Sequence, residues 1–228
     1  MAYKIALFDA DNTLLDFTRA EHEAICQCLS SRGLPTDHNT ICTYSAINDS
    51  HWKCLERGET TRERLKIERF SDFFRAIGHD GDPQIMARDY EATLSCQSFL
   101  LDGALELIQN LHNKCRLFIV TNGITTVQKK RFANCLLAPY FEKCFISEEM
   151  GCAKPEKIFF ERIAHEIQGF DPIRTIVIGD SLSSDIQGGI NAELDTCWYN
   201  PMKKAAPSNM SITYTVHTLA DIRKILLK

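Results

Sequence analysis

Ile5–Leu15 has the sequence IALFDADNTLL, in which an apolar run ends on two aspartates that are one residue apart. Four apolar residues bounded by turn-forming residues predict a short buried strand. In an open α/β sheet the ligand crevice lies beyond the carboxyl ends of the strands, so we expect Asp9 at a site. Carboxylates as close as Asp9 and Asp11 repel each other unless a cation or a proton lies between them. The pair suits a nucleophile, an acid/base and a bound Mg²⁺, although the same residues could also form a simple polar turn.

Strand and helix patterns alternate after Asp102. Strands are predicted at 116–120, 143–146, 175–178, 196–199 and 213–216, and helices at 104–111, 125–136, 155–167, 185–192 and 219–227. This alternation predicts right-handed crossovers and a mainly parallel sheet that is covered on both faces. The first strand belongs to the same sheet, so the predicted fold class is α/β, with a Rossmann-like parallel sheet as the core.

The segment 16–96 has helical patterns and no strand pattern. Apolar periodicity, glycines and prolines place its helices at 20–31, 39–56, 61–77 and 82–93. Four helices without a strand predict a small bundle inserted after the first strand. We therefore expect an α/β core domain formed by residues 1–15 and 97–228, and a helical cap domain formed by residues 16–96.

Composition and charge exclude several classes of protein. The chain has 228 residues, of which 44% are hydrophobic and 25% charged, as in ordinary globular proteins. Its net charge of −4 argues against a nucleic-acid polymer as partner. Neither a membrane-spanning stretch nor a signal peptide is recognisable, so we expect a cytoplasmic protein without a membrane partner. The ten cysteines have neither disulfide nor zinc spacing, which predicts free thiols in a reducing compartment.

Three further motifs lie at predicted strand ends or helix starts. Val120–Gly123 offers a hydroxyl and loop amides at a helix N-terminus, which can hold an anion. Lys154 directly precedes a helix, and Gly179–Asp185 adds two more carboxylates, Asp180 and Asp185. Each motif alone is common. Together they have the parts of phosphoryl transfer: a carboxylate nucleophile, and a metal, a lysine and hydrogen-bond donors for the phosphoryl oxygens.

These four motifs resemble those of the haloacid dehalogenase-like hydrolase superfamily, and the helical insert resembles its type 1 cap. Within the superfamily the chain is most similar to the noncanonical pyrimidine 5′-nucleotidases, through the stretches at 8–14, 119–123, 146–155, 184–192 and 196–200. The resemblance implies a Mg²⁺-dependent phosphatase that hydrolyses small phosphomonoesters through an aspartyl phosphate. The implied substrate is a nucleoside 5′-monophosphate, with a preference for pyrimidines.

The resemblance also implies roles for the aspartates. Asp9 would be the nucleophile and Asp11 the general acid/base, which protonates the departing alcohol and then deprotonates the attacking water. Asp9 and Asp180 would bind Mg²⁺ through their carboxylates, and Asp11 would bind it through its backbone carbonyl.

Four other residues take roles from the same resemblance. Thr121 and the amide of Asn122 would hold phosphoryl oxygens, and Lys154 would neutralise the nucleophile and the transferring group. Asp185 would orient Lys154 or a metal-bound water. Alternatively, Asp185 would only serve the dipole of its helix as an N-terminal acid.

The cap is expected to select the rest of the substrate. The polar segment 56–62, which includes Gly58 and Thr60, resembles the specificity loop of type 1 caps. Asn48 and Trp52 lie one helical turn apart just before this segment. The indole of Trp52 could stack on a planar base or could pack inside the bundle.

Competing functions stay open at this point. Sugar phosphomutases of the β-phosphoglucomutase type share all four motifs, and a family member without activity could act as a binding module. Dehalogenases of the superfamily lack the second aspartate, because a departing halide needs no proton. The sequence leaves both a monomer and a homodimer possible.

Overall fold

The computed structural model describes residues 3–227. The chain forms two compact units, of which one comprises the residues up to Asp16 together with those from Phe99 onward, and the other is Phe17–Ser98. The insertion predicted at 16–96 differs from the second unit by no more than two residues at either end.

The strands and helices follow one another along the chain in the order that the sequence predicts, apart from one additional short helix at Ser147–Met150. The strands are β1 Ile5–Phe8, β2 Arg116–Thr121, β3 Lys143–Ile146, β4 Thr175–Gly179, β5 Asp195–Tyr199 and β6 Tyr214–Val216. The helices are α1 Phe17–Ser30, α2 His38–Glu56, α3 Arg62–Ala76, α4 Pro83–Leu94, α5 Ala104–Leu111, α6 Thr125–Ala133, α7 Ser147–Met150, α8 Lys157–Glu166, α9 Gln187–Asn191 and α10 Leu219–Leu226. Short 3₁₀ turns lie at Ala138–Tyr140 and Pro172–Arg174, and a π-helical turn lies at Leu182–Ile186.

All six strands form one parallel sheet in the order β3-β2-β1-β4-β5-β6, which confirms the predicted fold class. Alternate residues of β1 face opposite sides of the sheet, as strand geometry requires. Ala6 and Phe8 join an apolar core with helices α5 and α10. Ile5 and Leu7 join a second core with helix α8. Both faces of the central strand are therefore buried, which explains its continuous apolar sequence.

The Phe17–Ser98 unit is a bundle of four helices, in which α1 packs on α4 and α3 packs on both α2 and α4. The helices α2, α3 and α4 start where the side chains of Asp37, Thr61 and Asp82 accept hydrogen bonds from backbone amides of the first turn. The interior contains Tyr44, whose ring stacks on that of Phe70 with centroids 5.5 Å apart. The bundle therefore has a core of its own, rich in aromatic rings.

The main departures from the predicted elements are at their ends. The helix predicted at 125–136 ends at Ala133. The helix predicted at 185–192 is preceded by the π-helical turn Leu182–Ile186, where the side chain of Ser181 accepts a hydrogen bond from the backbone amide of Ser184. This capping contact begins the helical backbone earlier than apolar periodicity predicts.

Two further expectations concern the whole chain. All ten cysteines are free thiols, as their spacing predicts. Within residues 3–227, the helices are too short or too polar to cross a membrane.

Candidate active site

The site is built around Asp9, the first residue after β1. Phe8 pairs with Ile119 of β2 on one side and with Ile178 of β4 on the other. The next residue therefore lies beside the carboxyl ends of both neighbouring strands, and the amide of Asp9 donates to the carbonyl of Ile178 at 2.8 Å. The Asp9 side chain is 10% exposed, so its carboxylate is largely removed from water.

Lys154 neutralises this carboxylate. Its Nζ donates to Asp9 Oδ1 at 2.7 Å, to Asp185 Oδ1 at 2.6 Å and to the carbonyl of Val120 at 2.8 Å. An ammonium group has three protons, so every donor of this buried side chain has an acceptor. Burial alone would lower the pKa of Lys154, but the carboxylates of Asp185 and Asp9 outweigh burial and raise that pKa. Lys154 is therefore a fixed positive charge.

The side chain of Asn122 fixes the backbone that carries Lys154. Asn122 Nδ2 donates to the carbonyl of Lys154 at 2.8 Å, and Asn122 Oδ1 accepts from the amide of Lys154 at 3.0 Å. The resemblance to the family implied a role for the backbone amide of Asn122 and none for its side chain. The carboxamide contact was missed because it joins residues that lie 32 positions apart.

Three carboxylates, those of Asp9, Asp180 and Asp185, have oxygen atoms within 4.8 Å of one another. Burial raises the pKa of Asp9 while Lys154 opposes this. Burial, followed by the charge of Asp185, raises the pKa of Asp180 to about 7. Among the residues that the structure describes, the ammonium of Lys154 is the one that faces these carboxylates, so the cluster has a surplus of negative charge that favours a bound cation.

The donor set fits Mg²⁺, which prefers oxygen ligands. Asp185 already accepts at Oδ1 from Lys154 and at Oδ2 from the amide of Ser181 at 3.1 Å. Asp9 and Asp180 are therefore the carboxylates best able to hold the ion. Asp185 contacts Lys154, which is what the predicted role of orienting this lysine requires.

The backbone around Asp180 is held closely. The indole nitrogen of Trp198 donates to the carbonyl of Asp180 at 2.9 Å. Thr13 Oγ1 donates to Asp180 Oδ1 at 3.4 Å. A Cβ on Gly179 would lie 2.1 Å from Asp185 Oδ2, so only glycine leaves room for that carboxylate at the end of β4.

Asp11 is held by two residues of helix α6. Asp11 Oδ1 accepts from Arg131 Nη1 at 2.5 Å, and Asp11 Oδ2 accepts from Gln128 Nε2 at 2.7 Å. Gln128 also donates to Thr121 Oγ1 at 2.8 Å. Neither of these two α6 residues was predicted from the sequence. The pattern that could have indicated them is a pair of polar residues one turn apart, on the face of the helix that also buries Val127 and Phe132.

The predicted substrate residues of the cap lie in the helical unit. Asn48 is 2% exposed, and its carboxamide donates to Glu21 Oε1 at 2.6 Å and accepts from Arg69 Nη1 at 3.0 Å. Trp52 and Thr60 are half-buried, whereas Gly58 is exposed and has a φ of +71°, which favours glycine. The roles of these residues in substrate binding stay predictions, and both ends of the Asn48 side chain are already engaged within the cap.

Residues 3–193 match the family model of the haloacid dehalogenase-like hydrolases. The chain belongs to this family. The resemblance drawn from the motifs is thereby confirmed, and the protein is a hydrolase.

Individual relatives of this hydrolase cover its full length. It is 39% identical to the pyrimidine 5′-nucleotidase PynA of Streptococcus pneumoniae, over 100% of the chain and 97% of the relative. It is 29% identical to the pyrimidine 5′-nucleotidase YjjG of Escherichia coli, over 100% of both chains. A crystal structure of YfnB from Bacillus subtilis bound to magnesium superposes with a TM-score of 0.94, at 36% identity and 99% coverage of both chains.

Proposed function

We propose that this hydrolase is a Mg²⁺-dependent phosphatase that cleaves small phosphomonoesters through an aspartyl phosphate on Asp9, and that pyrimidine nucleoside 5′-monophosphates are its preferred substrates. The observation that carries the proposal is the second carboxylate, Asp11, held by Arg131 and Gln128 two residues from the buried Asp9–Lys154 pair. An alcohol leaving from phosphorus needs a proton, and we assign Asp11 as its source.

In the first step Asp9 attacks the phosphorus atom. Its Oδ1 is bound to Lys154, so Oδ2 is the oxygen available for the new bond. As this O–P bond forms, the P–O bond to the leaving group breaks, and the carboxyl group of Asp11 gives its proton to the leaving oxygen. The hydroxyl of Thr121 and the amide of Asn122 donate to the phosphoryl oxygens.

In the second step water attacks the phosphorus of the aspartyl phosphate. Asp11 takes the proton of the water, and the bond between Asp9 and phosphorus breaks. The sum of the two steps is a phosphomonoester and water giving an alcohol and inorganic phosphate, with Asp9 and Asp11 restored. Bound by Asp9, Asp180 and the backbone carbonyl of Asp11, Mg²⁺ would supply positive charge for the phosphoryl oxygens.

The substrate class is supported by the relatives and by the cap. PynA and YjjG, which match the whole chain, are both pyrimidine 5′-nucleotidases. We propose that the nucleoside contacts Trp52, Gly58 and Thr60, together with Asn48, which precedes them in the sequence. We place the enzyme in the cytoplasm, acting on a small phosphorylated metabolite.

The test is the product formed from a panel of phosphate esters. The panel contains pyrimidine and purine nucleoside 5′-monophosphates, sugar phosphates and 4-nitrophenyl phosphate. We expect inorganic phosphate, fastest from the pyrimidine nucleotides, with the activity lost in EDTA and restored by Mg²⁺. An isomerised sugar phosphate in place of inorganic phosphate would instead establish a phosphomutase, and full activity in metal-free buffer would contradict the Mg²⁺ site.

The variant Asp9→Asn tests the covalent step. Because the amide is a poor nucleophile, we expect turnover to fall by about four orders of magnitude or more, as in other enzymes that lose a nucleophile. Its thermal unfolding should stay cooperative. A tenth of the wild-type turnover in a preparation free of wild-type enzyme would contradict the role of Asp9.

A further inference from the structure

Gln128 joins two residues that have different tasks in the proposed reaction. Its Nε2 carries two hydrogens, and it donates to Asp11 Oδ2 at 2.7 Å and to Thr121 Oγ1 at 2.8 Å. The side chain is 1% exposed, so water does not compete for these contacts. A single amide nitrogen thus fixes the distance between the acid/base and the phosphate-binding hydroxyl.

Arg131 determines which way the amide of Gln128 points. Arg131 Nη1 donates to Gln128 Oε1 at 3.1 Å and to Asp11 Oδ1 at 2.5 Å. A guanidinium can only donate, so the amide oxygen must face Arg131 and the amide nitrogen must face Asp11 and Thr121. The reversed amide would bring its oxygen against the carboxylate of Asp11 and its nitrogen against the guanidinium.

The orientation of Gln128 has a consequence for Thr121. The oxygen of Thr121 accepts from Gln128 Nε2 and also from the amide of Gly123 at 3.1 Å. A hydroxyl has two acceptor sites and one hydrogen, so with both acceptor sites used its hydrogen must be donated to another group. Thr121 is therefore prepared to donate to a phosphoryl oxygen.

We propose that Gln128 and Arg131 are positioning residues that form a clamp, which aligns Asp11 for proton transfer and makes Thr121 a hydrogen-bond donor to the phosphoryl group. This inference rests on the proposed phosphatase function. Neither clamp residue needs to touch the substrate, because each acts through Asp11 or Thr121.

Gly123 provides the space for the clamp. A Cβ at this position would lie 2.5 Å from Gln128 Nε2 and 2.6 Å from Gln128 Cγ, so the Gln128 side chain would have to move. Gly123→Ala should therefore displace Gln128 without removing a polar group. This substitution offers a second way to open the clamp.

The experiment compares two substrates that differ in their need for an acid. A nucleoside 5′-monophosphate releases a basic alkoxide, whereas 4-nitrophenyl phosphate releases a stable phenolate that needs no proton. The value of kcat/KM covers the steps up to the first transfer, so the later role of Asp11 as a base does not enter. Variants that misalign Asp11 should therefore lose more kcat/KM on the nucleotide than on 4-nitrophenyl phosphate.

The clamp variants are Gln128→Leu, Arg131→Met and Gly123→Ala. We expect each to lower kcat/KM for the nucleotide by about 10- to 100-fold, part of what general acid–base catalysis contributes. The loss on 4-nitrophenyl phosphate should be about tenfold smaller, since only the Thr121 contact is shared by both substrates. Arg131→Lys should recover part of the nucleotide activity because it keeps the positive charge beside Asp11.

Lys130→Met is the matched control, since Lys130 is exposed on the same helix. It should match the wild type on both substrates. Equal losses on the two substrates in Gln128→Leu and Arg131→Met, with lower melting temperatures, would overturn the clamp and mean that both residues only pack.

Asp11→Asn separates failure of the clamp from failure of the proposed function. If Asp11→Asn loses far more on the nucleotide than on 4-nitrophenyl phosphate while the clamp variants lose equally on both, only the clamp is wrong. If Asp11→Asn keeps wild-type kcat/KM on the nucleotide, Asp11 is not the acid and the proposed function itself fails.

Discussion

Lys154 in the sheet unit and Arg69 in the helical unit are both buried cations, but their surroundings differ. Lys154 donates directly to two carboxylates and a carbonyl, and none of its donors is spare. Arg69 Nη1 donates to the neutral amide of Asn48 at 3.0 Å, while its Nε and Nη2 have no hydrogen-bond partner within residues 3–227. The Arg69 guanidinium instead lies 4.9 Å from the ring centroid of Phe70 and 5.0 Å from that of Tyr90.

The balance of charge separates the two clusters further. In the sheet unit three carboxylates face one ammonium, which leaves a net negative group. In the helical unit the single carboxylate of Glu21 is balanced by the single guanidinium of Arg69. The Asn48 side chain is hydrogen-bonded to both. A surplus of one sign can bind a cation and act on a charged reactant, whereas a neutral cluster has no such use. We therefore expect the sheet cluster to serve the reaction, and the Glu21–Arg69 pair to serve the fold of the bundle.

Lys154→Met should give the largest effect, because it leaves Asp9 and Asp185 without their cation. We expect kcat/KM to fall by about a thousandfold or more, since a buried charge aimed at the transferring group is lost. The free energy of unfolding should fall by about 3–5 kcal/mol, the usual cost of breaking a buried ion pair. Phosphate release and denaturant unfolding are the measurements.

Lys157→Met is the matched control for this substitution. Lys157 lies three residues further along and pairs with Glu193 at the surface, where both side chains are at least half exposed. Its removal should change the free energy of unfolding by less than about 1 kcal/mol and leave the activity intact. Similar results for the two lysines would contradict the distinction between a reactive cluster and a surface ion pair.

The residues of the sheet cluster could be predicted because a topological rule brings them together. Asp9 and Asp180 follow β1 and β4, and adjacent parallel strands end at the same edge of the sheet. Lys154 follows no strand, but its position directly before a predicted helix indicated a positive charge for a phosphoryl group, and the resemblance to the family added its contact with Asp9. For such residues, local sequence and fold class together are enough to find the site.

The clamp residues and the cap cluster could not be found by the same rule. Gln128 and Arg131 reach Asp11 across 117 and 120 residues of sequence, from the middle of a helix and not from a strand end. Glu21 is buried on the same face of helix α1 as the apolar residues Ala24 and Ile25. A charged residue within an apolar stripe indicates a buried partner, but the sequence does not tell which residue that partner is.

Trp52→Ala tests whether the helical unit contributes to substrate choice through a residue outside the neutral cluster of Glu21, Asn48 and Arg69. If the half-buried indole stacks on the base, its removal should cost about 1–3 kcal/mol of binding, as in other base–aromatic contacts. That corresponds to about a 10- to 100-fold loss of kcat/KM on a pyrimidine nucleotide. The loss on 4-nitrophenyl phosphate should be much smaller, because this substrate has no base.

Lys53→Ala controls for the loss of a long side chain from the same helix, since Lys53 is exposed and pairs with the exposed Asp49 at the surface. This variant should behave as the wild type on both substrates. An equal drop on both substrates in Trp52→Ala, with a lower melting temperature, would mean that Trp52 packs within the bundle and that substrate choice lies elsewhere in the cap.

Of these variants, Glu21→Gln should have the smallest effect. The effect should be a change in how the free energy of unfolding depends on pH. Burial raises the pKa of Glu21, although hydrogen bonds from Ser45 and Asn48 and the charge of Arg69 oppose this. The folded chain therefore keeps the Glu21 proton to a higher pH than the unfolded chain does. As pH rises from the unfolded pKa of about 4.3 through the raised folded pKa, stability is lost, by at most about 1.4 kcal/mol per pH unit for one proton.

Glutamine lacks this proton, so the free energy of unfolding of the wild type relative to Glu21→Gln should decrease over that pH range. Denaturant unfolding of both proteins between about pH 4 and pH 7 measures the difference, with all other titrating groups in common. Curves that stay parallel would mean that Asn48 and Arg69 offset the burial of the carboxylate completely. The two clusters would then differ only in net charge, which is negative in the sheet unit and neutral in the helical unit. They would not differ in how well each buried charge is compensated.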